Sequence, residues 1–452
     1  SNNVAVGTSA LTANTSGTDN VAVGDAAGDA VTTGSDNTLI GDNAGGALTT
    51  GGDNTAVGSG ALATEDGHGK NVAVGSESLA TLNAGADSYN VAVGYQAGND
   101  LTSGIQNTLV GGLAGDVLTD ADYNVAMGVS ALGADTLGSK SVAVGYSALT
   151  AQNFTTATDT FNTAVGYGAG TAVTVGIRNA LVGGLAGDAL TDADRNSVLG
   201  YNALGADTLG SRATAMGYGA LQTQNFTTAT DNYNVGIGYN AGGANTTGTL
   251  NTGVGSLALN SNTTASNNTA VGYAALYANT TASNNTAVGY NSLVANTTGS
   301  ENTAVGTLAL DANTTAANNT AVGYDSLSAN TTGASNTALG DSALKANTTA
   351  ASNTAVGQSA LLVNTTGTEN TAMGANALDA NTTASYNSAF GVGSLGTNTT
   401  GANNTAVGYA SLFANTTADN NTAVGYYALV ANTTGAGNTA VGQGALDANT
   451  TG

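Results

Sequence analysis

The chain has 452 residues, a formal net charge of −23, six basic residues, 66 glycines, and no proline, cysteine or tryptophan. So acidic a surface repels phosphate backbones, so no nucleic-acid partner is expected, and without cysteine neither a disulfide framework nor a thiolate metal site can form. No apolar run approaches the roughly 18 residues that span a bilayer, so no membrane insertion by this segment is expected; collagen is excluded because proline is absent and glycine does not recur every third residue.

The first element, Val4-Ala5-Val6 closed by Gly7, sets the pattern for the whole chain. A short apolar strand ending in glycine returns 26 times, at Gly24, Gly41, Gly58 and Gly75 and onward to Gly425 and Gly442. Of the 25 intervals, 22 are 17 residues, one is 19 (Gly75 to Gly94) and two are 21 (Gly145 to Gly166, Gly217 to Gly238). A fixed short period predicts stacked coils, one per repeat. The expected fold class is therefore all-β, a parallel β-solenoid or β-roll of about 26 coils. Length alone suggests about three domains, but a solenoid extends as one body. At roughly 4.8 Å per coil it would be about 125 Å long.

Two sections follow from composition. Residues 1–240 form an acidic section with longer loops, holding 21 of the 29 acids and five of the six bases. Residues 107–168 recur at 179–240, and both copies carry a longer loop, Gln152-Asn153-Phe154-Thr155-Thr156 and Gln224-Asn225-Phe226-Thr227-Thr228. Insertions of this kind are expected to protrude on one face. The acids Asp116, Asp120 and Asp122, repeated as Asp188, Asp192 and Asp194, supply oxygen ligands of the type Ca²⁺ takes. The glycine-rich calcium-roll nonapeptide does not accompany them, so a solvated acidic edge is the preferred reading. His68, the single histidine, lies in a polar stretch from Glu65 to Lys70 and reads as a surface residue. No nucleophile motif, phosphate loop or metal-ligand spacing appears; neither enzymatic activity nor a cofactor is expected.

Residues 241–452 form a regular section rich in Asn-Thr-Thr, with Asn268 to Asn284 as its type coil. Thr269-Ala270-Val271 reads as a strand with β-branched residues at alternate positions. Gly272 turns the chain, Ala275-Leu276 adds an apolar contact, and Asn279-Thr280-Thr281 forms the opposite corner, where Asn tolerates left-handed dihedrals. Leu276 has counterparts in most coils, but Gly28, Gly45, Gly98 and Gly115 replace it in others. The residue after Asn-Thr-Thr alternates between Ala and Gly from about residue 282, giving a 34-residue unit. The 13 Asn-Thr-Thr motifs match the N-glycosylation acceptor pattern, and Asn313, Asn381 and Asn449 also have an acid two residues earlier. A corner independently selects Asn and Thr, and that reading is preferred. The paired threonines could also form a flat hydroxyl array, but neighbours on a strand face opposite ways. Tyrosine follows the closing glycine at Tyr95, Tyr146, Tyr167, Tyr273, Tyr290, Tyr324, Tyr409 and Tyr426, where rings either pack across coils or offer faces to sugars.

One Val, one Leu and a few Ala per coil cannot offset the ordering of 17 residues. Shared burial with other chains is therefore expected. The run Asn-Thr-Ala-Val-Gly-Tyr followed by Ala-Leu resembles the head repeats of trimeric autotransporter adhesins, whose coils carry Asn-Ser-Val-Ala-Ile-Gly, and the similar arrays of phage tail-fibre-type proteins. The resemblance spans the chain from Val4 to Gly442 and implies a left-handed β-roll assembled as a trimer for reach and attachment. The function expected is an extracellular structural fibre or filament, on a cell surface or virion, with itself as partner and a host-surface or glycan receptor possible. Neither end carries the polar cap that solenoids usually need against edge pairing, so the coil stack is expected to continue, either into further sequence or head-to-tail into another subunit. An ice- or glycan-binding solenoid is the alternative.

Overall fold

The computed structural model describes residues 2–452. The chain is a parallel β-solenoid of 26 coils, grouped in two compact units, Ser1–Tyr233 and Asn234–Gly452. Among the described residues there is no helix long and apolar enough to cross a membrane.

In the first unit, three-residue strands run from Val4–Val6 to Thr214–Met216 and pair in parallel with unshifted register, as Val4↔Val21, Ala5↔Ala22 and Val6↔Val23. From Val21–Val23 onward the middle strand residue points inward and is buried, whereas its two neighbours face out; in the first strand Ala5 is exposed. The valine counted towards burial in each coil thus lies on the surface instead, and alanine fills the interior. The interior is narrow. A strand can carry Leu at its middle position only where glycine makes room on both sides. Leu39 sits between Gly28 and Gly45, Leu109 between Gly98 and Gly115, and Leu181 between Gly170 and Gly187. A methyl on any of these glycines would come within 3.0 Å of a side-chain atom of its leucine.

The long coils do not simply protrude. In the 21-residue coil after Gly145, Gln152 is buried and Phe154 is 6% exposed, while Thr155, Thr156 and Ala157 form an exposed tip. Each of the two duplicated copies adds a small parallel pair, Gly138–Ser139 with Thr158–Asp159 and Gly210–Ser211 with Thr230–Asp231.

The second unit repeats one coil from Val235–Ile237 to Thr439–Val441. Its interior holds Ala270, Ala275, Leu276 and Ala282, with equivalents in the following coils. Two asparagine ladders flank this core. Asn268 Oδ1 accepts from the Asn285 backbone N–H at 2.9 Å, and Asn268 Nδ2 donates to the Ala282 carbonyl at 3.0 Å. In the second ladder Asn279 Nδ2 donates to Asn262 Oδ1 and to the Ala282 carbonyl, both at 2.9 Å. These amides satisfy buried backbone groups that an apolar side chain would leave unpaired. Asn279 is not in the left-handed region, contrary to expectation; Ala274 (φ 51°), Leu276 (φ 51°) and Asn284 (φ 63°) are. At the glycine coils the space is tight, since a methyl on Gly299 would lie 2.1 Å from the Ala316 carbonyl oxygen.

Candidate functional site

Counted from the closing glycine, position +7 is the interior corner of each coil. In the second unit it is always Asn, from Asn245 to Asn449. In the first unit the column also holds Leu48, Leu82, Leu101, Leu118 and Leu190, and at three places a buried acid, Glu65, Asp135 and Asp207. Each acid lies one coil before a long coil. In many regular coils the +9 backbone N–H is donated to the next coil, as from Thr298 to the Thr314 carbonyl and from Thr332 to the Thr348 carbonyl. In the long coils that N–H turns back to the acid: Ala84 to Glu65 (3.2 Å), Phe154 to Asp135 (3.1 Å) and Phe226 to Asp207 (3.0 Å). The carboxylates also accept the N–H three residues on, at His68, Gly138 and Gly210. They are therefore latches that hold an enlarged coil to a regular one. Sequence reasoning missed them, although aligning coils on the glycine exposes them as the only acids in a column of Asn, Gln, Leu and Val.

His68 stands beside the first latch. Its Nδ1 lies 3.5 Å from Glu65 Oε1, and its side chain is one-third exposed. Among the described residues, Glu65, Asp66 and His68 are the one trio of possible metal ligands whose atoms come within 4.8 Å of one another. Two carboxylates and an imidazole could hold a divalent cation, but the Glu65 carboxylate is already committed to two backbone N–H groups.

The acids singled out from the sequence occupy separate columns. Asp120 accepts from the Ser103 hydroxyl at 2.7 Å, and Asp122 Oδ1 from the Ile105 N–H at 2.8 Å. Asp194 Oδ1 repeats this with Ile177 at 2.8 Å and lies 3.7 Å from Arg195. Burial holds the carboxyls of Asp116 and Asp188 above the usual range. Asp192 repeats the Asp120 position. The Asn-Thr-Thr corners face inward at their asparagine: Asn313 and Asn381 are fully buried with their amides bonded in the ladder. Asn449 is only partly buried and donates to Asn432 Oδ1 and the Gly452 carbonyl. A glycosyl transferase would have to reach Asn313 or Asn381 before the coil closed. The first threonine of each pair is spent as well, as Thr280 Oγ1 donates to the Thr297 carbonyl at 3.2 Å.

The +1 column is where rings meet solvent. Tyr146 and Tyr167 stack at 5.4 Å, Tyr273 and Tyr290 at 5.5 Å, and Tyr409 and Tyr426 at 5.5 Å, with interplanar angles of 10°, 14° and 16°. These tyrosines do pack across coils, yet about half of each side chain stays exposed. Between the +1, +2 and +5 columns lie shallow pockets. One of about 360 Å³ is lined by Asn376, Asp379, Thr397, Tyr409 and Phe413, and another of about 390 Å³ lies between Tyr273, Tyr277 and Tyr290. No protein-family model and no curated protein sequence matches the chain.

Proposed function

We propose that the chain is an extracellular structural fibre element that trimerises along its strand face and serves in surface attachment. One observation carries the reading. The third strand residue is apolar in all 26 coils, from Val6, Val23 and Ile40 to Val407, Val424 and Val441, and it points outward. Leu339 and Met127, for example, are 47% and 42% exposed. A soluble protein rarely leaves an apolar stripe uncovered along a whole unit, as each of the two units here does. A partner with the same coil spacing matches it residue for residue, and a second copy of this chain has that spacing. Self-association would supply the burial that a thin alanine interior lacks. Extracellular, cell-surface or virion placement, and a host-surface receptor, belong to the same proposal.

Light scattering with negative-stain imaging tests it. The expected mass is three times 43.3 kDa, in rods of uniform width. Changing Val288, Val322 and Val356 together to Lys should give particles of single-chain mass with an unchanged circular dichroism spectrum. A wild-type monomer would remove the reading.

The ice-binding alternative has one observation of its own. The strand, not the corner, presents a hydroxyl column, Thr252, Thr269, Thr286 and onward to Thr439, with Ser388 the one serine among the threonines. It uses the same face as self-association, so a monomer showing thermal hysteresis would favour it over the fibre.

A further inference from the structure

Positions +2 and +5 carry side chains in most coils but are both glycine, Gly393 and Gly396, in the coil closed by Gly391. The preceding coil has Asn376 and Asp379 at these positions, and the following coil has Ala410 and Phe413. Phe413 leans into the space left free: a methyl on Gly396 would come within 3.0 Å of its Cε2, and one on Gly393 within 3.7 Å of its Cδ2. The +1 column changes at the same point. Tyr409 stacks on Tyr426 on one side and meets Tyr427 edge-on at 5.6 Å, but the preceding coil offers it Val392 rather than a ring. The aromatic ladder thus ends at a pocket of about 360 Å³, with two rings on one side and a carboxylate and an amide on the other.

We propose that this pocket, formed by Asn376, Asp379, Tyr409 and Phe413, binds one pyranose ring of a glycan. The size is at the small end of the range for ligand sites, which suits one or two sugar rings. The polar groups are mixed: Asp379 only accepts, bonded so far to no more than the adjacent N–H groups of Asp379 and Ala380, and the exposed Asn376 both donates and accepts. A ligand that uses all of them must present both donors and acceptors on one edge and an apolar face to the rings, which is the arrangement of a pyranose. An ammonium group would satisfy Asp379 and stack on the rings, but would leave the Asn376 amide donors unused. Burial pushes the Asp379 carboxyl up, against the N–H groups of Asp379 and Ala380. Sugar hydroxyls would stabilise its charged form, so binding weakens as acid protonates it. The site gives the attachment reading a ligand class and rests on that reading for its biological sense.

The test is saturation-transfer NMR and titration of the full chain with methyl pyranosides of glucose, galactose, mannose and N-acetylglucosamine. At least one should saturate, with a Kd of about 1 mM as for a single small contact. Tyr409→Ala and Asp379→Ala should each weaken it at least tenfold. Asp311→Ala, which removes the carboxylate at the same column four coils earlier, should leave it unchanged. Matching thermal melts show that the variants fold. Saturation by no pyranoside overturns the proposal, as does binding indifferent to both changes, or binding of tetramethylammonium alone. Light-scattering mass on the same samples is read separately, so loss of sugar binding with an intact trimer sinks this site and not the fibre.

Discussion

Gly306→Ala should open the solenoid locally and split its melt. Gly306 has φ +135°, and a methyl there would stand 2.4 Å from the Gly323 carbonyl oxygen and 2.7 Å from its carbon. Neither atom can move alone, because the Gly323 N–H is bonded to the Val305 carbonyl at 2.8 Å and the strands on both sides are in register. The dihedral alone costs about 1–3 kcal/mol, and forcing backbone apart adds a similar amount. Two controls separate these contributions. Gly442 belongs to the same column with φ +127° but has nothing within 4 Å of the added methyl, so Gly442→Ala reports the dihedral alone. Gly85→Ala has open space and no positive φ, and should be silent. Because each coil touches only its neighbours, hydrogen exchange in Gly306→Ala should show lost protection within about two coils of the change and native protection farther away. Uniform loss along the unit would mean that the coils unfold together and that the nearest-neighbour picture is wrong.

The 17-residue period made the strand, its closing glycine and the parallel stacking legible, because one backbone hydrogen-bond ladder imposes all three. What faces inward was not. In Thr269-Ala270-Val271 the period-2 pattern fixes that Thr and Val share a face but not which face it is, and hydrophobicity favours the wrong answer. The deciding quantity is interior width, and the sequence does encode it. Leu39, Leu109 and Leu181 appear in the strand only where the +4 residue is glycine both in their own coil and in the preceding one. Reading coils against each other, rather than residues along one coil, would have revealed this. The corner asparagines were misread for a related reason. Asn was credited with its tolerance of left-handed dihedrals, whereas its amide bonds across coils, and Leu276 takes the left-handed dihedral because its side chain then fills the interior. The sugar pocket depends on two glycines and a phenylalanine in adjacent coils, which one coil's sequence cannot show.

Replacing the Asp135 latch should be the most damaging change at a polar residue of the first unit. Its carboxylate is fully buried. It accepts from the N–H groups of Gly138 and Phe154, each at 3.1 Å, and from Gln152 Nε2 at 2.5 Å. Gln152 in turn donates to Ser141 Oγ at 2.9 Å and accepts from Asn162 at 2.9 Å. Asp135→Ala leaves three buried donors unpaired, at about 1–3 kcal/mol each before relaxation, so a loss of about 3–5 kcal/mol is expected. Phe154 and the exposed tip Thr155–Ala157 should then become the first site of proteolysis. Asp135→Asn keeps one acceptor and should cost about 1–2 kcal/mol. Acid separates charge from hydrogen bonding. Burial pushes the folded Asp135 carboxyl above its ordinary value, outweighing the Gln152 amide and the N–H groups of Phe154, Gly138 and Thr136. Between that raised pKa and the ordinary carboxylate range, the folded state holds more protons than the unfolded one. Stability from this group therefore rises as pH falls through the window, the reverse of a salt-bridged aspartate. Denaturant melts of wild type and Asp135→Asn at pH 7, 5 and 4 should show the difference between them widening as the pH falls. A difference that narrows would place the folded pKa below the ordinary value, and the latch would then be a stabilised carboxylate rather than a buried acid.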